Sequence, residues 1–366
     1  MRFVLSGYYG FDNAGDEALL TAIISSLRQL EPQAEFLVIS GNPARTRAVH
    51  GVAAVSRTAF LDITRALRRA DLLISGGGSL LQDITGPLSL PYYLGIMVMA
   101  HAVGTPVMLY AQGVGPITRR SSRCMIRTVV NRVNLVTLRD QDSLALLRSL
   151  GVTVPPCEVT ADPVFALSAV QPASGRPGDL GGRTKWGTGK PVVAVSVRAW
   201  PQLGDYSPAL AEVLDALAAE GSDIVFLSLH YPDDLAASRR VAARMKATAV
   251  LVEKKLGTAE TMTLIAGSRL LIGMRLHSLI FAAAAGVPFL GIPYDPKVES
   301  LLREFGRPVC VKNGTLDAAA LLQGARATLA DWERESQAVV AQSEVLRMKA
   351  RHTAELAVRL ARSARS

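Results

Sequence analysis

No apolar run in this chain approaches the ~20 residues that a membrane-spanning helix needs, so no such helix is expected. Aromatic residues are scarce, at 5%, and no basic stretch is interleaved with stacking side chains. A single-stranded nucleic-acid partner is therefore not expected. The three cysteines, Cys124, Cys157 and Cys310, stand in unrelated contexts. Without a CxxC or a Cys/His spacing suited to zinc they build neither a disulfide framework nor a metal site. Such cysteine usage fits a reducing, cytoplasmic compartment. The opening MRFVLSGYYG turns polar too soon for a signal-peptide core and reads as the start of a strand. Acids are outnumbered: 31 Asp and Glu against 40 Lys and Arg give a net charge of +9. That balance suits nucleic acid, an anionic membrane surface or small acidic substrates.

What is abundant is material for cores. Hydrophobic residues make up 49% of 366 and charged residues 19%, enough for two domains of ordinary size and too apolar for wholesale disorder. Short apolar segments alternate with helical patterns through the first half: 2–5, 36–40 (FLVIS), 72–75 (LLIS), 107–111 (VMLYA) and 135–138 as strands, with helices at 61–69, 91–103 and 121–132. The segment 172–191, PASGRPGDLGGRTKWGTGKP, lacks periodicity and reads as a linker or loop. The pattern then restarts with strands at 192–197 (VVAVSV), 224–229 (IVFLSL), 250–252, 270–272 and 289–292, and ends in a helix from 331. Such alternation predicts α/β architecture with parallel sheets covered by helices on both faces. The expected organisation is two Rossmann-like domains facing a cleft, 1–171 and 192–330, with the helix at 331–366 packing back across the first. This is the glycosyltransferase-B-like arrangement.

Open α/β sheets bind ligands at the C-terminal ends of their strands, so the turns there carry the candidate chemistry. The richest is SGYYGFDNAGDEALL at 6–20, running from the first strand into a helix. Its glycines permit close backbone approach, and a helix start offers open N–H groups. Asp12, Asn13, Gly15 and Asp16 are candidates there. The alternative for Asp16 and Glu17 is simple stabilisation of the helix dipole. Gly77 and Gly78, in the GGGS after LLIS, could cradle an anion or merely permit a tight turn. Gln112, opening QGVGP, is similarly ambiguous. Arg139 ends the strand at 135–138; the competing reading is a solvated charge beside a capping Asp140. In the second half, Gly273-Met274-Arg275-Leu276-His277-Ser278 joins a buried strand to an Ala-rich helix. Cationic residues at a helix start oppose its dipole, a local conflict expected of functional sites, although His277 could be a satisfied half-buried histidine. Lys297, in Tyr294-Asp295-Pro296-Lys297, could reach a phosphate or be an ordinary surface lysine. Arg198 and His230 sit at equivalent strand ends. Several cations against one acidic turn suit a small, multiply charged anionic donor and a carboxylate that takes a proton from an acceptor hydroxyl. No metal cage is apparent.

Taken in order, SGYYGFDNAGDEALL, ISGGGSLLQD, YAQGVGPI, TLRDQDS, TADPVF, GMRLHSLIFAAAAGVP and PYDPKV resemble the polysaccharide pyruvyl transferase family, and within it the bacterial cell-wall branch. The resemblance spans nearly the whole chain. It implies a glycosyltransferase-B-like fold and transfer of the enolpyruvyl unit of phosphoenolpyruvate to a sugar, with a 4,6-linked ketal formed and phosphate released. The branch implies a lipid-linked β-N-acetylmannosamine acceptor and a role in cell-wall polymer synthesis and S-layer anchoring. Phosphoenolpyruvate is then a donor substrate, and no cofactor or metal is expected. By motif the catalytic set is Asp16, Arg139, His277 and Lys297, with Asn13, Gly15, Gly77, Gly78, Gln112, Arg198, Arg275 and Asp12 binding substrate. Peripheral contact of the basic helix at 61–69, or of the Arg-rich C-terminal helix, with the anionic inner face of the plasma membrane would account for the charge; a merely solvated basic face is the alternative. Two other functions are open. One is a nucleotide-sugar glycosyltransferase, with Glu260 or Glu299 holding a ribose. The other is a non-catalytic sugar- or anion-binding protein.

Overall fold

Strands that alternate their apolar side chains between two helical layers build the first half of the molecule. A computed structural model describes residues 1–84, 86–167, 190–200, 203–312 and 314–363. The chain divides into two units, Met1–Leu167 together with Val345–Ser366, and Ser168–Glu344. The expected linker at 172–191 lies, for residues 172–189, outside the described residues.

Unit one runs β1 (Arg2–Ser6), α1 (Ala14–Leu30), β2 (Glu35–Ser40), α2 (Pro43–His50), β3 (Ala53–Ser56), α3 (Phe60–Leu67), β4 (Leu72–Gly76), α4 (Ser89–Ala102), β5 (Val107–Gln112), α5 (Arg120–Val130), β6 (Leu135–Leu138), α6 (Gln141–Ser149) and β7 (Cys157–Val159). Its sheet has the order β3-β2-β1-β4-β5-β6-β7, and its strands pair parallel. Val4, Leu73, Val107 and Leu109 face one core with Ile63 and Leu67 of α3 and Leu94 and Met97 of α4. Phe3, Leu5, Leu72, Ile74, Met108 and Tyr110 face the other, with Leu20, Ile23 and Leu27 of α1. Both faces are buried, which is why these strands read as continuous apolar runs. α2 and β3 escaped the sequence reading for the same reason in reverse. Only Thr46 is buried in α2, so it has no apolar stripe; its start is fixed by the Asn42 cap and by proline in its first turn.

Unit two runs β8 (Val192–Ser196), α7 (Ser207–Ala219), β9 (Asp223–Phe226), α8 (Asp233–Ala242), β10 (Val250–Leu251), α9 (Thr258–Ala266), β11 (Leu270–Gly273), α10 (Leu276–Ala284), β12 (Phe289–Gly291), α11 (Pro296–Glu304), β13 (Val311–Lys312), β14 (Thr315–Leu316) and α12 (Ala318–Ala330). The main sheet has the order β10-β9-β8-β11-β12, and β13 and β14 form a separate pair. The expected strand at 224–229 ends at Phe226. Its outer neighbour among the described residues is the two-residue β10, paired at Val250 and Leu251, so the ladder runs out.

The last helix, α13 (Trp332–Ser363), contains the second break between the units. Ala354, Ala357, Val358 and Ala361 join the core formed by Phe3, Leu5 and Tyr110. Alanines at this spacing bring the helix close to its neighbours. Arg362 pairs with Glu31, the C-cap of α1, and His352 with Glu158 of β7 at 2.9 Å.

Candidate active site

The strand order of unit one reverses between β1 and β4, and the crevice beyond such a switch point is where open α/β sheets place ligands. Two turns meet there. After β4, Gly77 and Gly78 both have φ of +71°, a conformation costly for any residue with a Cβ. A Cβ on Gly78 would lie 3.0 Å from Asp16 Oδ1, so the Asp16 carboxylate rests directly against this loop. The neighbouring acid has a different task. Glu17 is buried, accepts the Gly10 N–H at 2.8 Å and meets His50 Nε2 at 2.6 Å, which ties the turn to α2. Asn13 caps α1 by accepting from the Gly15 N–H at 3.1 Å, and Gly15 is buried in the first helical turn. Asp12, in the left-handed region at φ +63°, is held by Arg45 at 2.6 Å. Tyr9 is buried and donates to the Gly76 carbonyl at 2.6 Å. Burial, and then the Asp16 charge, raise the phenol of Tyr8 above its ordinary range, with Arg57 opposing.

The next two strand ends brace the same loop. Gln112 Nε2 donates to the Gly78 carbonyl at 2.9 Å and to the Gly113 carbonyl at 3.3 Å, while its buried Oε1 has no donor among the described residues. Arg139 is not a solvated charge. Its side chain is 6% exposed, 3.4 Å from Asp162 and 3.6 Å from Asp140, and its Nη2 donates to Ser79 Oγ at 3.1 Å. Its guanidinium occupies the space that a Cβ on Gly113 would need. Asp140 also caps α6 through Ser143 at 2.6 Å. A positive charge is thereby fixed next to the Gly77–Ser79 loop, with Asp16 on the loop's β1 side.

In unit two the strand order reverses between β8 and β11, and the cations follow these strands and β12. Arg198, past β8, donates to Tyr294 Oη at 3.1 Å and lies 5.0 Å from the Trp200 ring centre and 5.1 Å from that of Tyr294. Among the described residues its buried Nε has no acceptor. Arg275 is the N-cap of α10, and its side chain makes no capping hydrogen bond to that helix among the described residues. Its guanidinium is committed to buried Asp234, at 2.8 and 2.6 Å, and Asp234 also accepts the His230 N–H at 2.8 Å. Arg275 therefore ties the β11 turn to the start of α8. His277 is the second residue of α10, partly buried, with its ring 6.3 Å from Phe281. Lys297 lies in the first turn of α11, partly buried, its N–H bonded to the Asp295 cap at 2.9 Å. Of the two acids considered for a ribose, Glu260 is used in capping α9, with Gly257 N at 2.8 Å and Lys254 at 3.2 Å. Glu299 is exposed in the first turn of α11.

Residues 13–296 match the family described as polysaccharide pyruvyl transferase. The chain belongs to the polysaccharide pyruvyl transferase family. A curated relative, the amylovoran biosynthesis protein AmsJ of Erwinia amylovora, is 27% identical over 266 residues, 67% of this chain and 62% of its own. The chain thus spans less than two thirds of that relative's length. Among solved structures, a UDP-N-acetylglucosamine 2-epimerase from Listeria monocytogenes, described as putative, superposes with a TM-score of 0.69 at 10% identity, covering 96% of this chain and 94% of its own. The UDP-N-acetylglucosamine 2-epimerase of Neisseria meningitidis gives 0.64 at 11% identity, with 99% and 100% covered. The ADP-heptose heptosyltransferase II of Escherichia coli gives 0.51 at 13%, with 91% and 100% covered. The fold is glycosyltransferase-B-like.

The family match takes in Asp16, Arg139 and His277 and stops immediately before Lys297. Three buried acids were not singled out from the sequence: Asp162, Asp234 and Asp83. The first two carry arginines, and only the Asp-Pro step of TADPVF hinted at one of them. Asp83 links the two glycine-rich turns. It accepts from Thr118 N at 2.9 Å, Thr118 Oγ1 at 3.0 Å and Arg119 N at 2.8 Å. Burial pushes its pKa up, but these donors and Ser122 outweigh burial and leave it lowered. A lowered carboxylate stabilises the fold above its unfolded pKa, and the contribution is lost as pH falls through the folded one. Asp83→Asn is expected to cost about 1–3 kcal/mol near neutral pH. Its deficit in thermal unfolding should shrink below about pH 4, the ordinary carboxylate range. A deficit independent of pH would show that the charge plays no part.

Proposed function

We propose that this protein transfers the enolpyruvyl unit of phosphoenolpyruvate to two hydroxyls of one sugar residue, forming a 4,6-pyruvate ketal and releasing phosphate. The observation that carries this reading is the family match, which runs through the Asp16 turn, the Arg139 strand end and the His277 helix start. The residue chemistry agrees with it. Protonation of the donor's methylene carbon makes C2 electrophilic; one sugar hydroxyl adds there. The C–O bond to phosphate then breaks, and the second hydroxyl closes the ring. Of the two hydroxyl protons, one balances the proton gained by the methylene and the other leaves on the phosphate, so donor and diol yield ketal and hydrogen phosphate with nothing left over.

In this reading Asp16 is the base that takes or orients the hydroxyl proton. Arg139 supplies positive charge to the donor's carboxylate through the Gly77–Ser79 loop. His277 is the phosphate ligand or the general acid, with Lys297 and Arg198 as further anion ligands. Arg275 positions the His277 turn, since its Nε and Nη2 both donate to Asp234, and the rest of its guanidinium keeps donors for the substrate anion. The acceptor we propose is a lipid-linked β-N-acetylmannosamine, with a role in cell-wall polymer assembly and S-layer anchoring. A peripheral site of action at the inner face of the membrane suits α3, whose Phe60 and Leu61 are 52% and 75% exposed beside Arg65, Arg68 and Arg69. No helix among the described residues is long and apolar enough to cross a membrane.

The test is phosphate release from phosphoenolpyruvate with and without a synthetic β-N-acetylmannosaminyl lipid diphosphate, with mass analysis of the product. Acceptor-dependent phosphate and a product heavier by pyruvate less water are expected. Sugar transfer from a nucleotide donor, with no phosphate release from phosphoenolpyruvate, would replace this reading with the glycosyltransferase one.

A further inference from the structure

Aromatic residues make up 5% of the chain, yet five of them gather beside the Asp16 turn. Tyr8 and Phe11 come from the loop between β1 and α1, and Tyr92 and Tyr93 from the first two turns of α4. The rings of Tyr8 and Phe11 stack at 4.3 Å with 11° between their planes. Tyr92 and Tyr93 meet edge to face at 5.2 Å, and Tyr9 lies buried beneath on the Gly76 carbonyl.

Arg57, just past β3, joins the two pairs. Its guanidinium lies 5.3 Å from the centre of the Phe11 ring and 4.4 Å from that of Tyr92, and its backbone carbonyl accepts from Tyr92 Oη at 3.0 Å. Phe11 is also seated on the chain, because its ring fills the space a Cβ on Gly41 would take. The wall is therefore braced from three separate segments.

Core packing does not account for its outermost member. Tyr8 is 38% exposed, whereas a tyrosine serving the core alone would be covered as Tyr9 is. Asp16, Tyr8 and Arg57 are also close enough that the acid and the arginine act in opposite directions on the Tyr8 phenol. A flat, rigid, half-exposed ring next to a carboxylate and a guanidinium has the chemistry of a sugar subsite. The C–H face of a pyranose stacks on an aromatic ring, and its hydroxyls need charged acceptors and donors at the rim.

We infer that the Tyr8–Phe11 stack, locked by Arg57 and Tyr92, is the platform on which the pyranose ring of the acceptor lies, holding its hydroxyls at Asp16. The inference rests on the transferase reading for its link to turnover, but sugar binding can be measured without it.

Tyr8→Ala, Tyr8→Leu and Tyr8→Trp are compared with the unaltered protein by saturation-transfer NMR. The probes are the methyl β-pyranosides of N-acetylmannosamine and galactose. KM is then measured for the same glycosides and for phosphoenolpyruvate by phosphate release. At least one glycoside is expected to receive saturation from the unaltered protein and to lose it in Tyr8→Ala. Glycoside KM should rise about three- to ten-fold in Tyr8→Ala, the scale of a lost aromatic contact. It should stay high in Tyr8→Leu, which restores apolar bulk without a flat ring, and recover in Tyr8→Trp. The KM for phosphoenolpyruvate and the melting temperature should not move. An unchanged glycoside KM in Tyr8→Ala, equal rises for donor and acceptor, or no saturation of either probe by the unaltered protein would each overturn the platform. Absence of phosphate release with saturation that still depends on Tyr8 would instead overturn the transferase reading and leave the sugar subsite standing.

Discussion

Asp16→Asn is expected to lower kcat by roughly 10²–10⁴-fold, the span of a lost general base, with little change in thermal stability. The expectation follows from how the two adjacent acids of the turn are used. Glu17 is buried and satisfied by Gly10 and His50, so its replacement would loosen the loop and confound fold with chemistry. Asp16 is only partly buried and abuts the backbone of Gly78. Asparagine keeps its shape and one hydrogen-bond acceptor, and loses the charge and the capacity to take a proton. Steady-state kinetics with both substrates and a thermal melt decide the matter. Loss of donor binding with acceptor binding intact would move Asp16 to the phosphoenolpyruvate side. Near-normal turnover would remove it from the chemistry. His277→Ala gives the matching measurement for unit two, where near-normal turnover would dismiss His277 as acid and as phosphate ligand.

The fold was largely legible because its strands are buried on both faces: FLVIS, LLIS and VMLYA are unbroken apolar runs, and each ends in glycine or a polar turn. α2 and β3 were illegible because they bury almost nothing and are placed by a cap and by strand pairing. At the site, spacing brought forward the turns that meet at Gly78 but could not tell Asp16 from Glu17. Successive residues of a helix point about 100° apart, and which of the two faces the Gly78 loop depends on how α1 seats Ala18, Leu19 and Ile23 in the core. Arg275 exposes the same limit. As a cation at a helix start it reads as an anion ligand, and nothing local shows that Asp234, 41 residues away, accepts from its Nε and Nη2. Charge pairs between distant segments leave no local pattern. The wall around Tyr8 stayed hidden for that reason too, since Phe11, Arg57 and Tyr92 come from three segments whose meeting is a property of the sheet order.

Arg139→Met should cost about 3–5 kcal/mol of stability, the range for breaking a buried ion pair by removing one partner. Arg139 and Asp162 have side chains 6% and 3% exposed, so the carboxylate that remains cannot simply turn to water. Asp162 is further fixed by accepting the Val164 N–H at 3.1 Å. If the penalty is the stranded charge, then Asp162→Asn placed on top of Arg139→Met should recover much of the loss, because a neutral amide still accepts from Val164. Catalysis should not recover with it. The double variant regains the fold but lacks the guanidinium at Ser79, and under the proposed role it stays deficient in phosphoenolpyruvate binding. Denaturant unfolding and donor KM, measured on the single and double variants, separate the two functions of one side chain. A double variant no more stable than Arg139→Met would refute the buried-pair account. One that regains both stability and donor affinity would show that Arg139 holds the Gly77–Ser79 loop in place and contributes nothing directly to the donor.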